Sequence, residues 1–205
     1  LSDWSSDVCS SDLMVQPWWH PEQIARRRPY LEARRAVQSA VLAYFKAEGF
    51  VAVDTPALQR APGLERHIRP FATTLREPLE DGRDERFLHT SPEFAMKKLL
   101  AGGMSKIVQL CHVFRDGERS VLHQPEFMML EWYRADATYD ALIDDCAAIL
   151  TQAGKAANRS LAHDGLLRWR GVSCDPAARP ERLTVQEAFT RFAGIDLLAT
   201  ITDPD

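Results

Sequence analysis

Apolar positions recur at the helical interval in one early segment, Val37, Val41, Tyr44 and Phe45, and the pattern stops at Gly49. That spacing predicts an amphipathic helix of about five turns. It opens at Pro29, because proline suits a first turn, and closes at the glycine. A short β-branched run over 50–53 reads as a strand, ended by the proline after Thr55. Residues 69–74 and 86–90 read as further strands, separated by a charged turn over 77–85. Ser91 then suits an N-cap, Pro92 a first helical position and Glu93 a first turn, where the helix dipole favours a carboxylate, so a helix runs on through Leu100.

The stretch 111–136 stands apart, and the rest of the chain is expected to be organised around it. A strand ending at Phe114 leads into a loop carrying Arg115, Asp116, Gly117, Glu118, Arg119, His123 and Gln124, and a second strand follows at 127–133. The loop holds about ten residues, whereas hairpin loops in compact domains usually hold roughly two to five. A long charged loop between apolar strands is expected to serve a ligand. Further on, Leu142, Ile143, Cys146, Ile149 and Leu150 predict the packed face of a helix over 138–151. The glycines and prolines of 154–182 predict an irregular surface excursion. Thr184 and Glu187 form a capping-box pair that opens a last helix, which stops near Gly194.

Composition narrows the picture. A chain of 205 residues with 45% hydrophobic content can bury one core. No apolar run reaches the roughly 18 residues of a membrane span, so no membrane partner is expected. The net charge of −4 offers no broad footprint for nucleic acid. Four scattered cysteines without CxxC spacing point to reduced thiols in the cytoplasm and no metal site. Arg26, Arg27 and Arg28 read as a solvated helix start. The first thirteen residues, rich in Ser and Asp and ending just before Met14, read as a tail without function, of adapter-derived type. The folded domain is expected over 14–205.

Several of these stretches together resemble a known family. Phe114-Arg115 with a following acid, then His123-Gln124-Pro125-Glu126-Phe127 and Leu130-Glu131-Trp132-Tyr133, are similar to motif 2 of class II aminoacyl-tRNA synthetases of the lysyl type. The run from Gly49 to Leu58 resembles their motif 1, which implies a homodimer. Ser91-Pro92-Glu93, where lysyl enzymes usually carry Ala-Pro-Glu, resembles the short paralogues that ligate a lysine-type amino acid to elongation factor P. The lead from Met14 to the first helix is too short for the anticodon-binding barrel of lysyl-tRNA synthetases. The resemblance therefore implies an α+β catalytic domain, a mixed, mostly antiparallel sheet flanked by helices. It implies ATP, with Mg2+ held through residues beyond 205, since no glycine-rich motif 3 is seen before Asp205. It also implies (R)-β-lysine as substrate and elongation factor P as acceptor, with no role for tRNA.

Site residues follow by the same resemblance. Arg115 is the expected catalytic residue, with Asp116, Gly117, Glu118 and Gln124 completing the nucleotide loop. Two departures stand in that loop: the usual Arg-x-Glu is Arg115-Asp116-Gly117 with Glu118 one place later, and Gln124 replaces an Asn. Ser91, Pro92, Glu93, Glu131 and Tyr133 match the substrate positions. Residue chemistry agrees, since a guanidinium grips phosphate and carboxylate oxygens in two-pronged fashion, while ammonium groups call for acids and hydroxyls. A lysyl-tRNA synthetase fragment and a non-catalytic synthetase-like regulatory subunit are the alternative readings of the same residues.

Overall fold

His20 starts the first helix: its ring nitrogen accepts the Glu22 N–H at 3.4 Å, and Pro21 occupies the first helical position. Helix α1 therefore spans Pro21–Ala47, not the shorter segment expected from Pro29. Pro29 lies inside it on an exposed stretch, where water can take the carbonyl that proline leaves unpaired. The computed structural model describes residues 16–63, 65–76, 83–161 and 164–201. The tail over 1–13 lies outside the described residues, as do most of the 77–85 turn and residues 202–205.

After Gly49, held at φ 79°, the chain forms β1 (Val51–Ala52), β2 (Leu58–Gln59), β3 (Ala72–Arg76) and β4 (Arg83–Leu88). Helix α2 (Glu93–Ala101) and the long strands β5 (Lys106–Phe114) and β6 (Glu126–Arg134) follow. Beyond them come α3 (Tyr139–Leu161), β7 (Leu167–Trp169), β8 (Val172–Cys174), α4 (Val185–Ala193) and α5 (Leu197–Ile201). The fold is α+β. One sheet has the order β1-β5-β6, with β1 parallel to β5 and β6 antiparallel to it; a second has the order β2-β4-β3, all antiparallel.

The β5–β6 ladder runs in register from Lys106 opposite Arg134 to Phe114 opposite Glu126, and that register sorts the side chains. Residues directly opposite share a face. Val108, Leu110, Leu130, Trp132 and Arg134 therefore lie on one side, and Gln109, Cys111, Met129, Glu131 and Tyr133 on the other. The first side meets α1 and α3. Val41, Phe45, Phe50 and Val108 form its buried core, with Val37, Tyr44, Leu130, Trp132, Ile149 and Ala153 packed around them.

A charged clamp closes this layer. Asp145 of α3 is 1% exposed, and its carboxylate accepts from Tyr44 Oη at 2.6 Å, Trp132 Nε1 at 3.0 Å, Arg134 Nε at 2.8 Å and Arg134 Nη2 at 2.6 Å. Arg134 also stacks over Phe50, 4.7 Å from the ring centre. Burial pushes the Asp145 carboxyl up, but the hydrogen bonds from Arg134 and Tyr44, the Arg134 charge and the Trp132 bond outweigh it, and the group stays below the usual carboxylate range. The face expected for this helix is corrected accordingly. Leu142, Cys146 and Leu150 are exposed, and the inward stripe is Asp145, Ile149, Ala153 and Ala156.

The expectation of irregular chain over 154–182 is also corrected. Helix α3 continues to Leu161, and a β7–β8 hairpin follows. Gly154 makes this possible: a Cβ there would lie 2.6 Å from Cγ of Pro176, so only glycine admits the returning chain. Thr151 seals the contact by donating to the Pro176 carbonyl at 2.8 Å. Helix α4 has the full capping box of Thr184 and Glu187 and ends at Gly194 with φ 68°, as its sequence predicts. Phe192, Leu198 and Ile201 on this last pair of helices are exposed.

Candidate active site

The turn from β4 into α2 brings the first group of site residues under β6. His89 and Thr90 are buried, and Pro92, expected at the substrate position, has its ring fully buried and offers no surface to a ligand. Helix α2 starts one residue later than expected, at Glu93 with Pro92 as its cap. Ser91 still serves the helix, because its hydroxyl oxygen accepts the Glu93 N–H at 3.1 Å. The same hydroxyl donates to Oε2 of Glu131 at 2.7 Å, and the Tyr133 hydroxyl donates to the other carboxylate oxygen, Oε1.

Glu131 is thus an acid held between two hydroxyls on the face of β6 opposite the core. Burial raises the Tyr133 phenol well above its usual range, and the hydrogen bond to Glu131 and the charges of Glu131 and Glu93 add to it. Tyr133 therefore remains a donor to Glu131 at neutral pH. The acids also act on Lys97: its ammonium pairs with Glu93 one turn back, and Glu93 foremost, with Glu131 and Glu65 contributing, raises its pKa. An ammonium ion is stabilised wherever it meets these three carboxylates. Sequence reasoning missed Glu65 and Lys97, although the i,i+4 spacing of Glu93 and Lys97 signalled that pair.

The second group stands at the end of β5. Arg115 Nε donates to the Thr90 carbonyl at 3.3 Å, Nη1 lies 3.7 Å from Oε1 of Glu118, and the guanidinium stacks on Phe127 at 5.2 Å. Nη2 has no partner among the described residues. The loop behind it is anchored where Asp116 N–H donates to the Arg69 carbonyl at 2.8 Å, and Gly117 takes φ 80°. Gln124 is exposed on the loop and makes no side-chain hydrogen bond among the described residues. Thr90 and Phe127 as supports of Arg115 were not found by sequence reasoning, because neither lies next to it along the chain.

Both groups converge. A cavity of about 160 Å³ is lined by Ser91, Glu93, Glu65 and Arg115 together with Gly63, Thr90, Phe94 and Met129. It joins a guanidinium at one point to carboxylates and a hydroxyl at another, an arrangement that suits a ligand carrying both anionic and ammonium groups. Glu131 and Tyr133 connect to it through Ser91. Of the residues expected at the site, Ser91, Glu93, Glu131, Tyr133 and Arg115 are brought together, Glu118 pairs with Arg115, and Asp116, Gly117 and Gln124 remain on the loop.

A family model for class II tRNA synthetases (D, K and N) matches residues 23–200. Curated relatives carry the name elongation factor P–(R)-β-lysine ligase. The protein of that name from Photobacterium profundum is 33% identical over 182 residues, covering 89% of this chain and 49% of the relative. That from Actinobacillus succinogenes is 34% identical over 187 residues, covering 91% and 50%. That from Sodalis glossinidius is 35% identical over 166 residues, covering 81% and 45%. The chain spans about half the length of the curated relatives it matches.

Proposed function

The chain belongs to the class II tRNA synthetase family (D, K and N), and from that premise we propose that it takes part in ATP-dependent ligation of (R)-β-lysine to a lysine of elongation factor P. The observation that carries this reading is one cavity lined by Ser91, Glu93 and Arg115, with Glu131 and Tyr133 linked to it by hydrogen bonds through Ser91. The names of the relatives add the acceptor and the amino acid.

The steps follow from the residues. An oxygen of the amino-acid carboxylate attacks the α-phosphorus of ATP, the bond to pyrophosphate breaks, and an aminoacyl-adenylate forms. Arg115 offsets the charge that grows on the phosphoryl oxygens, and its fixing by Thr90, Glu118 and Phe127 spares it reorganisation at that moment. Glu93 and Glu131 hold the ammonium groups of the substrate, and Tyr133 and Ser91 hold Glu131. The deprotonated amine of the acceptor lysine then attacks the adenylate carbonyl, and AMP departs. Asp116, Gly117, Glu118 and Gln124 form the nucleotide side of the site. The proposal includes Mg2+ with the ATP; among the described residues no group of three His, Cys, Asp or Glu is placed to hold a metal ion.

A homodimer built on the motif 1 segment, and a cytoplasmic setting, complete the proposal. No helix among the described residues is long and apolar enough to cross a membrane. The test is pyrophosphate exchange: the protein with ATP and (R)-β-lysine or lysine should exchange label, and other amino acids should not. Exchange that ignores lysine-type substrates would sink the reading.

A further inference from the structure

The strand that carries Glu131 and Tyr133 is held from two directions. In its sheet, β6 pairs with β5 along its whole length, from Glu126 to Arg134. The second hold lies on its back. Trp132 and Arg134 alternate with Glu131 and Tyr133 and point to the helix layer, where both donate to Asp145. Asp145 is in turn tied to α1 through Tyr44. A single buried carboxylate thus joins α1, α3 and the back of β6, within one residue of each site side chain.

We propose that Asp145 is a positioning residue: by holding Trp132 and Arg134 from behind, it fixes the place of Glu131 and Tyr133 in front and so sets how well the site grips the amino-acid substrate. The last clause rests on the function proposed above; the coupling of the two faces does not. Asp145 never meets substrate. Its effect passes through the strand, and it falls first on the amino-acid side of the site, because Trp132 and Arg134 flank Glu131 and Tyr133 near one end of β6, whereas Phe127, under Arg115, lies at the other end.

Two variants separate positioning from bulk stability. Asp145→Asn weakens the whole clamp, and Trp132→Phe removes one donor while leaving the bonds to Tyr44 and Arg134. The first readout is the Tyr133 phenol, followed by NMR of ring-labelled protein. In the wild type it should stay protonated through the range where a free tyrosine titrates, about pH 10, because burial and Glu131 hold it. In both variants its titration should move down toward that range as the Glu131 bond loosens. The second readout is pyrophosphate exchange, measured well below each variant's Tm. KM for the lysine-type amino acid should rise about tenfold in Asp145→Asn, while KM for ATP stays within about twofold.

A lowered Tm with an unchanged Tyr133 titration in both variants would overturn the proposal. So would an equal loss toward both substrates. Absence of lysine-dependent exchange in the wild type would instead overturn the function proposed above, and the phenol titration would then decide the coupling alone.

Discussion

Arg115 and Asp145 are both charged and both largely enclosed, yet they differ in what is left over. Asp145 spends its carboxylate on four protein donors. Arg115 lines the cavity, and its Nη2 has no partner among the described residues. Replacing Arg115 by Ala should therefore lower lysine-dependent pyrophosphate exchange by about 100-fold or more, with a small change in Tm; exchange near the wild-type rate would remove Arg115 from the mechanism. Replacing Asp145 by Ala should cost stability, about 3 kcal/mol, because Arg134 keeps only its longer contact to Glu48, at 3.5 Å, and Tyr44 and Trp132 lose their acceptor. Urea unfolding reads this directly. The sign of its pH dependence follows from the lowered carboxyl. The unfolded chain takes up this proton first, near pH 4, so the clamp contributes fully above that value and is lost as pH falls through the lower folded one. Asp145→Asn should flatten the acid limb of the stability profile; an unchanged limb would contradict the lowered value.

At the scale of elements, Gly154 puts two effects in opposition. Alanine raises helix propensity by roughly 1 kcal/mol, but its Cβ would meet the Pro176 ring at 2.6 Å, an overpacking that costs about 1–3 kcal/mol. Gly154→Ala should therefore lower Tm, and a rise would show that the chain at Pro176 yields. The same pair explains what was legible. The β5–β6 hairpin, the Val41–Phe45 face of α1 and the capped α4 could be read because each depends on local periodicity or capping. The length of α3 could not, because Gly154 reads as a breaker until Pro176 is seen against it. Its inward stripe was misread for a related reason: Asp145 looks like a surface residue until Arg134, Trp132 and Tyr44 meet it. The early start of α1 was hidden by Pro29, whose cost the exposed first half of the helix can bear. Within the site, Arg115 and Glu131 stood out as charges beside apolar strands, whereas Thr90, Phe127 and Glu65 act through distant contacts that leave no local pattern.

At the scale of the molecule, one antiparallel ladder divides the labour: its back face builds the core with α1 and α3, and its front face carries the acids and hydroxyls of the site. That division sets carboxylates and hydroxyls on the front face beside Arg115, and for the proposed function the acceptor is the central claim. The most direct measurement supplies the protein with ATP, radiolabelled (R)-β-lysine, elongation factor P and lysine tRNA in one reaction, and then separates the two macromolecules. The account predicts label on elongation factor P, with the tRNA unlabelled. Label on the tRNA with none on the protein would contradict it.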